Sequence, residues 1–584
     1  MVESNKKKAQ LRLRPLAIAI GVHCLTIGGA QAFEFDTGNS DVSVRWDNTL
    51  RYNLAQRVEG RNNSIANDPK FDEGDYKFDR GDLVANRIDL LSELDVVYKK
   101  NFGFRLSGAG WYDAAYNDKA VTNPNLRDAF GQPVPSSYVG SQYSGYTKRY
   151  YVGPAGELLD AFVFTNFDAG SAAVKARLGR HSVVWGESLF LGGAIHSVSY
   201  SQVPLDLQKG FATPGVEAKE LFRPLNQIST QVQLTNELSV AAQYFLEWEN
   251  FRFPEGGTYL GPADFAFNGP DRIVLATHPA AGGLGYTRGD AVTPKNTGEF
   301  GLNTRWSPEF LDGTLGVYYR RYADKIPQVL VTSLAAVGGQ PLAAKSQYQA
   351  IYADKIDLFG ISLAKSVGGV SVGAELSYRH NTPLLSQTLG NASATGTPSQ
   401  GDTPGPRGNT VHALTNLMGN IASTDFFDAA SWATEVTWAR WTGISSGANL
   451  FNGVGYNGCR GPSAAAASGD KWDGCATHDF IGLAVAFTPT WYQVFPGVDL
   501  SLPANYSTGL MGNAPVAFGG NEGLGNYSVG IAADIFQKYR VDLKYVDYFG
   551  KYRTNAAGNI TTFNGFTTVL SDRGFASLTL KTTF

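Results

Sequence analysis

The chain has 584 residues, with 49 Lys+Arg against 52 Asp+Glu, and it is rich in Gly (67), Tyr (28) and Phe (34). Near-neutral, slightly acidic charge argues against a nucleic-acid partner. The abundant glycine and aromatics suit strands, turns and aromatic belts, and no apolar run beyond the N-terminus reaches helix-spanning length.

Lys6, Lys7, Lys8, Arg12 and Arg14 precede a short apolar stretch, Leu16 to Gly29, and Ala30-Gln31-Ala32 fits a small-x-small cleavage site. Residues 1–32 therefore read as a secretory signal, and 33–584 as one domain in the mature chain. Cys24 follows His23, which does not fit a lipoprotein site, so it leaves with the signal. Cleavage removes five Lys/Arg and one Glu, leaving 44 and 51 and a net charge of −7.

Past the signal, apolar and polar residues alternate with the period of a strand. Val44, Trp46, Leu50, Tyr52 and Leu54 open the series. Ile88, Leu90, Leu94, Val96 and Tyr98 follow, opposed by Arg87, Asp89, Glu93, Asp95 and Lys99. After Lys99-Lys100-Asn101, Phe102, Phe104 and Leu106 alternate with Arg105 and Ser107. The spacing predicts hairpins at 157–168/172–180, 227–235/238–249, 299–306/313–322 and 356–366/370–380. Strands follow near 431–441, 479–494, 497–505, 526–536, 539–549 and 574–584. Long polar segments near 117–156, 181–226, 250–298, 323–355 and 381–430 separate the hairpins. Counting from the two ends gives opposite directions for 431–441, so one strand is missing or supernumerary, with 381–478 the suspect region.

Short turns at one end and long loops at the other describe an all-β, single transmembrane antiparallel β-barrel of about 16–18 strands. Its turns would be periplasmic and its loops extracellular. The charged face then lines water and the apolar face meets lipid. Arg87, Glu93, Arg105, Arg177, Arg305, Glu375 and Arg379 are the expected pore-lining residues. The run Leu178-Gly179-Arg180-His181-Ser182-Val183-Val184-Trp185-Gly186-Glu187-Ser188 opens segment 181–226. That segment also carries Pro204, Leu205, Asp206, Pro214, Gly215, Glu217 and Glu220. A barrel this wide is open unless something narrows it. Segment 181–226 is expected to fold into the lumen as a constriction or plug, anchored by Arg180, Trp185 and Glu187.

Cys459 and Cys475, the two cysteines beyond the signal, are expected to form a disulfide in an oxidising compartment. With His478 they make a poor zinc set, so no metal is expected. Gly519-Gly520-Asn521-Glu522-Gly523-Leu524-Gly525 lacks the strand-to-helix setting of a nucleotide loop and reads as a mobile loop. The histidines are scattered and no Gly-x-Ser-x-Gly elbow occurs, so no catalytic residue, cofactor or enzymatic function is expected. The last strand alternates Ala576, Leu578, Leu580, Thr582 and Phe584 against Ser577, Thr579, Lys581 and Thr583. With its terminal Phe584, it resembles the signal read by the barrel assembly machinery of Gram-negative outer membranes, carried by Leu578, Leu580 and Phe584.

Three motifs carry a wider resemblance: the Gly179-Arg180 to Trp185-Gly186-Glu187-Ser188 run, Phe487-Thr488-Pro489-Thr490-Trp491-Tyr492-Gln493-Val494-Phe495-Pro496-Gly497, and Gln537-Lys538-Tyr539-Arg540 ahead of Tyr545-Val546-Asp547-Tyr548. Together they resemble DUF 1302, a family of proteobacterial outer-membrane porin-like barrels without an assigned substrate. The resemblance implies a barrel over the whole mature chain, working beside an inner-membrane exporter of hydrophobic molecules. Three functions are therefore expected: an outer-membrane channel for small or hydrophobic solutes, a gated conduit for lipid- or sterol-like cargo, or a loop-bearing receptor or scaffold.

Overall fold

The computed structural model describes residues 33–584 except 129, 214–215, 217, 279–281, 332–346, 387–388, 391–399, 402 and 463–467. The expected signal, residues 1–32, lies outside the described residues, as do Pro214, Gly215 and Glu217.

The alternating segments pair into one closed antiparallel barrel of eighteen staves. Val42–Arg57 bonds Leu83–Tyr98 along one edge and Phe575–Thr583 along the other, which closes the ring. Two further segments explain why the sheet contains twenty. Val498–Ser501 and Ala504–Met511 together make one stave, broken at Leu502-Pro503, where proline cannot donate to the ladder. Phe33–Phe35 pairs with Val44 to Trp46 on the edge that Phe575–Thr583 uses higher up.

The missing strand is Arg407–Ile421, inside the stretch expected to be the 381–430 loop. Its two faces differ little in polarity. Leu414 is buried on the face of His412 and Asn416, while Ala413 and Thr415 share the other. With that strand added, every chain direction agrees.

Side chains divide as the pleat requires. Leu90 is 43% exposed and its neighbour Leu91 only 5%. Leu106, Leu178, Ile228, Leu302, Ile361, Leu376, Leu543 and Leu580 continue the outward apolar band. Exposed Trp46, Tyr98, Phe102, Phe167, Trp306, Phe310, Phe426, Phe495 and Phe536 gather toward the short-turn end as an aromatic belt.

The long loops build a cap at the other end. Phe78, Tyr116, Tyr138, Tyr143, Tyr151 and Tyr259 pack into one buried cluster. Beside it, Asp75 lies 2.9 Å from Arg57 and 3.4 Å from Arg573, all three fully buried. A separate five-stranded sheet, which includes Arg272–His278, Gly282–Arg288, Gln328–Val331 and Gln347–Ile351, stands in the same cap.

Candidate functional site

The segment 182–224 joins Ala172–His181 to Leu225–Gln233 and packs against the barrel's inward faces. Gly179, at φ +121°, starts the departure; a Cβ there would lie 2.4 Å from the Ala161 carbonyl oxygen, so the position needs glycine. Wall side chains then hold the segment largely by its backbone. The Glu375 carboxylate accepts from the Val198 N–H at 2.7 Å and from the Glu187 N–H. Glu435 accepts from the Leu189 N–H at 2.8 Å, and Asn416 donates to the Glu187 carbonyl at 2.5 Å. Arg379 donates to the carbonyls of Ile195 (2.8 Å) and Ser197 (3.1 Å), with its guanidinium 4.3 Å above the Tyr200 ring. Arg320 donates to Val198 (2.9 Å) and Tyr200 (2.6 Å). Across the barrel, Arg51 on the first strand pairs with Glu220 at 2.8 Å. The same segment is thus tied to the first strand and to the eleventh, which lie on facing sides of an eighteen-stave ring.

A pair of histidine rings fixes a further contact. His196 Nε2 donates to the Gly519 carbonyl at 2.7 Å, and its Nδ1 lies 2.9 Å from Nδ1 of His412. Thr410 Oγ1 is 2.8 Å from His412 Nε2, so each histidine has one donor and one acceptor nitrogen. The glycine-rich stretch expected to be a mobile loop is therefore held by the lumen segment at Gly519.

The expected pore residues do several different jobs. Trp185 is buried against Tyr318, rings 6.2 Å apart, and presses on Gly301, where a Cβ would sit 2.7 Å from the indole. Glu187 lies 3.8 Å from Arg305, whose side chain remains 45% exposed. Glu375 and Arg379 are buried and do not face open water; their polarity is spent on the segment's backbone. Arg87 pairs with Asp89 at 2.8 Å and reaches the Tyr150 carbonyl in the cap. Glu93, Arg105 and Arg177 border one cavity of about 280 Å³, with Asp160 and Glu220. Arg105 bonds Asp95 at 2.8 Å and also Glu93 and Asp160. Arg180 departs from its expected place. The register puts it opposite Asn226, on the outward face with Leu178 and Ile228, where Glu247 (2.8 Å) and Glu249 (3.3 Å) bind it. It anchors the rim instead of the constriction, because one residue of strand reverses the face.

Cys459 and Cys475 form a disulfide with Sγ–Sγ 2.09 Å. Leu578 and Leu580 lie on the outward face, Ser577 and Thr579 inward, and Phe584 exchanges backbone hydrogen bonds with Asn48.

A cavity of about 600 Å³ runs from the loop sheet down to Gly193 and Glu435 on the wall. Phenylalanines 265, 267, 480, 518, 563 and 566 line it, with Gln328 among the polar neighbours. The phenylalanines come from three loops and one strand, and Gln328 from a fourth loop. No local periodicity links them, which is why pattern reading along the chain misses the site.

A closed barrel with a hydrocarbon-compatible exterior and a wired interior is a membrane-barrel architecture. The chain matches the family described as "Protein of unknown function (DUF1302)" over residues 13–584, and it belongs to that family. No curated protein matches. Among solved structures it is similar to Pseudomonas aeruginosa OpdK with vanillate (8% identity, 93% of this chain and 98% of that one, TM-score 0.38). It is also similar to Acinetobacter baumannii OccAB2 (8%, 93% and 98%, TM-score 0.40). A BenF-like porin from Pseudomonas fluorescens Pf-5 gives 8% identity over 94% of this chain and 100% of that one, with TM-score 0.39. At such identities and scores these likenesses carry nothing about cargo.

Proposed function

We propose that this protein is a non-enzymatic, porin-like channel of the Gram-negative outer membrane, narrowed by segment 181–226. The short turns face the periplasm and the capped loops face outward, with lipid against the apolar band and the barrel assembly machinery as the inserting partner. One observation carries the reading: a single segment is tied by side chains of facing walls, through Arg51 on one side and Glu375, Arg379 and Glu435 on the other. Buried guanidiniums and carboxylates spent on backbone groups make a rigid constriction, because leaving any of them unpaired in a dry site is costly.

Single-channel recording in planar bilayers tests this. Wild type should give small or rare steps. Arg320→Ala/Arg379→Ala, which loses four donated bonds to the segment, should give larger and more frequent ones. Large ohmic steps already in wild type, unchanged in the double variant, would refute the constriction. An apolar cavity beside the constriction favours hydrophobic solutes over ions within this reading, with an inner-membrane exporter as the partner.

A further inference from the structure

We infer that the 600 Å³ cavity is a binding site for a neutral, largely hydrocarbon molecule bearing a flat ring system and one hydroxyl group. This deepens the channel reading by naming the solute class, and it rests on that reading for its role in transport, though not for binding itself.

Size is the first argument. A volume of about 600 Å³ falls within the range of small-molecule sites. The aromatic wall is the second. Behind the lining, Phe253 stacks on Phe267 (4.4 Å, 11°) and on Phe518 (4.7 Å, 25°), which holds those two lining rings 6.5 Å apart and tilted by 36° to each other. Phe566 meets Phe267 and Phe518 edge-on at 6.2 Å and 6.3 Å. Rings so arranged present both faces and edges to a planar guest.

The backbone supplies a third argument. Phe267 and Phe518 are both held at positive φ, +72° and +59°. That conformation is uncommon for a bulky side chain and is kept where surrounding structure imposes it, often at ligand clamps. Here it turns two rings from different loops toward one space.

Polarity decides the class of guest. Gln328 lines the cavity at 9% exposure; its Nε2 donates to the Leu384 carbonyl at 3.2 Å, and its Oε1 has no hydrogen-bond partner. A buried acceptor left so is costly, and a hydroxyl donor from a guest would satisfy it. At the inner end Glu435 already receives N–H groups from Leu189 and Phe190 and the Asn416 amide. Its carboxylate disfavours an anionic guest at that end, while the cationic lining residue Arg288, at the loop end, is turned to the Pro270 carbonyl at 2.8 Å.

The test uses the full-length mature barrel in lipid nanodiscs, with binding of 1-pyrenemethanol, 1-methylpyrene and 1-pyrenecarboxylate read as saturable fluorescence above empty nanodiscs. Wild type should bind the alcohol saturably, the methyl compound more weakly and the carboxylate weakest. Gln328→Leu should erase the alcohol-over-methyl preference, a change of about 2- to 12-fold for one neutral hydrogen bond. Ala517→Trp, which fills the cavity, should abolish saturable binding of all three. Heat-modifiable mobility on gels verifies that each variant is a closed barrel. Non-saturable partitioning in wild type, or identical binding in Ala517→Trp, would overturn the site. Tightest binding of the carboxylate would overturn the chemistry assigned to Gln328 and Glu435. Binding without conductance would spare this inference and sink the channel, and conductance without binding would do the reverse.

Discussion

At the scale of single residues, what decides function is which face a side chain occupies and how deep it lies. Leu90 is outward near the middle of its strand, so Leu90→Arg should cost about 2–4 kcal/mol. Leu94 pairs with Trp46 near the aromatic belt, so Leu94→Arg should cost only about 0–1 kcal/mol. Urea titration of the heat-modifiable band measures both, and equal costs would contradict the depth assignment. Glu93→Arg is not the mild change that a water-facing carboxylate would suggest. Glu93 bonds Arg105, so reversal would set two cations together. In the cap, burial pushes Glu255 up to about 8 against a hydrogen bond from the Gly269 N–H at 2.5 Å. The folded cap then binds a proton that the open cap releases between the ordinary carboxylate range and pH 8. Its stability is complete below that range and falls as pH rises through it. Limited proteolysis of the loops should accelerate from pH 6 to pH 9, and Glu255→Gln should make the rise shallower, the remainder coming from Asp72 and Glu73, which burial raises to about 7 and about 8.

At the scale of elements, hairpins with one wet and one lipid face were legible along the chain, because each carries its own alternation. Val370–Pro383 against Ile356–Val367 is an example, with Leu376 outward and Glu375 inward. Arg407–Ile421 was not legible, since its inward face contacts protein and tolerates Leu414, which erases the contrast. The lumen segment was half legible. Trp185 and Glu187 signalled a packed loop, but their partners Tyr318, Glu375 and Asn416 lie far downstream, beyond any local pattern. Arg180 shows the limit of motif reading, since its neighbour Gly179 is inward and it is not. The cap depends on a similarly distant cluster. Asp75→Ala would leave the buried guanidiniums of Arg57 and Arg573 to Asp572, at 3.5 Å and 3.9 Å, and to backbone carbonyls, and should cost about 3 kcal/mol, the low end for a broken buried pair. New cleavage within 58–82 under native conditions, with an intact barrel band, is the expected readout.

At the scale of the whole molecule, ring closure fixes everything else. Phe584 faces Asn48 through two backbone hydrogen bonds, 2.7 Å and 2.8 Å. Deleting Phe584 should slow barrel formation while export continues, seen as unmodified monomer in the periplasmic fraction; normal heat-modifiable barrel would count against this. Phe33 faces Trp46 on that same edge, so only Asp47 separates the two berths. A slide of one position would turn every leucine of the closing strand to the wrong side. A slide of two, which restores the faces, would run Phe584 into Phe33. Phe33 to Phe35 thus act as a doorstop for the last residues, and the seam cannot creep past them toward Trp46.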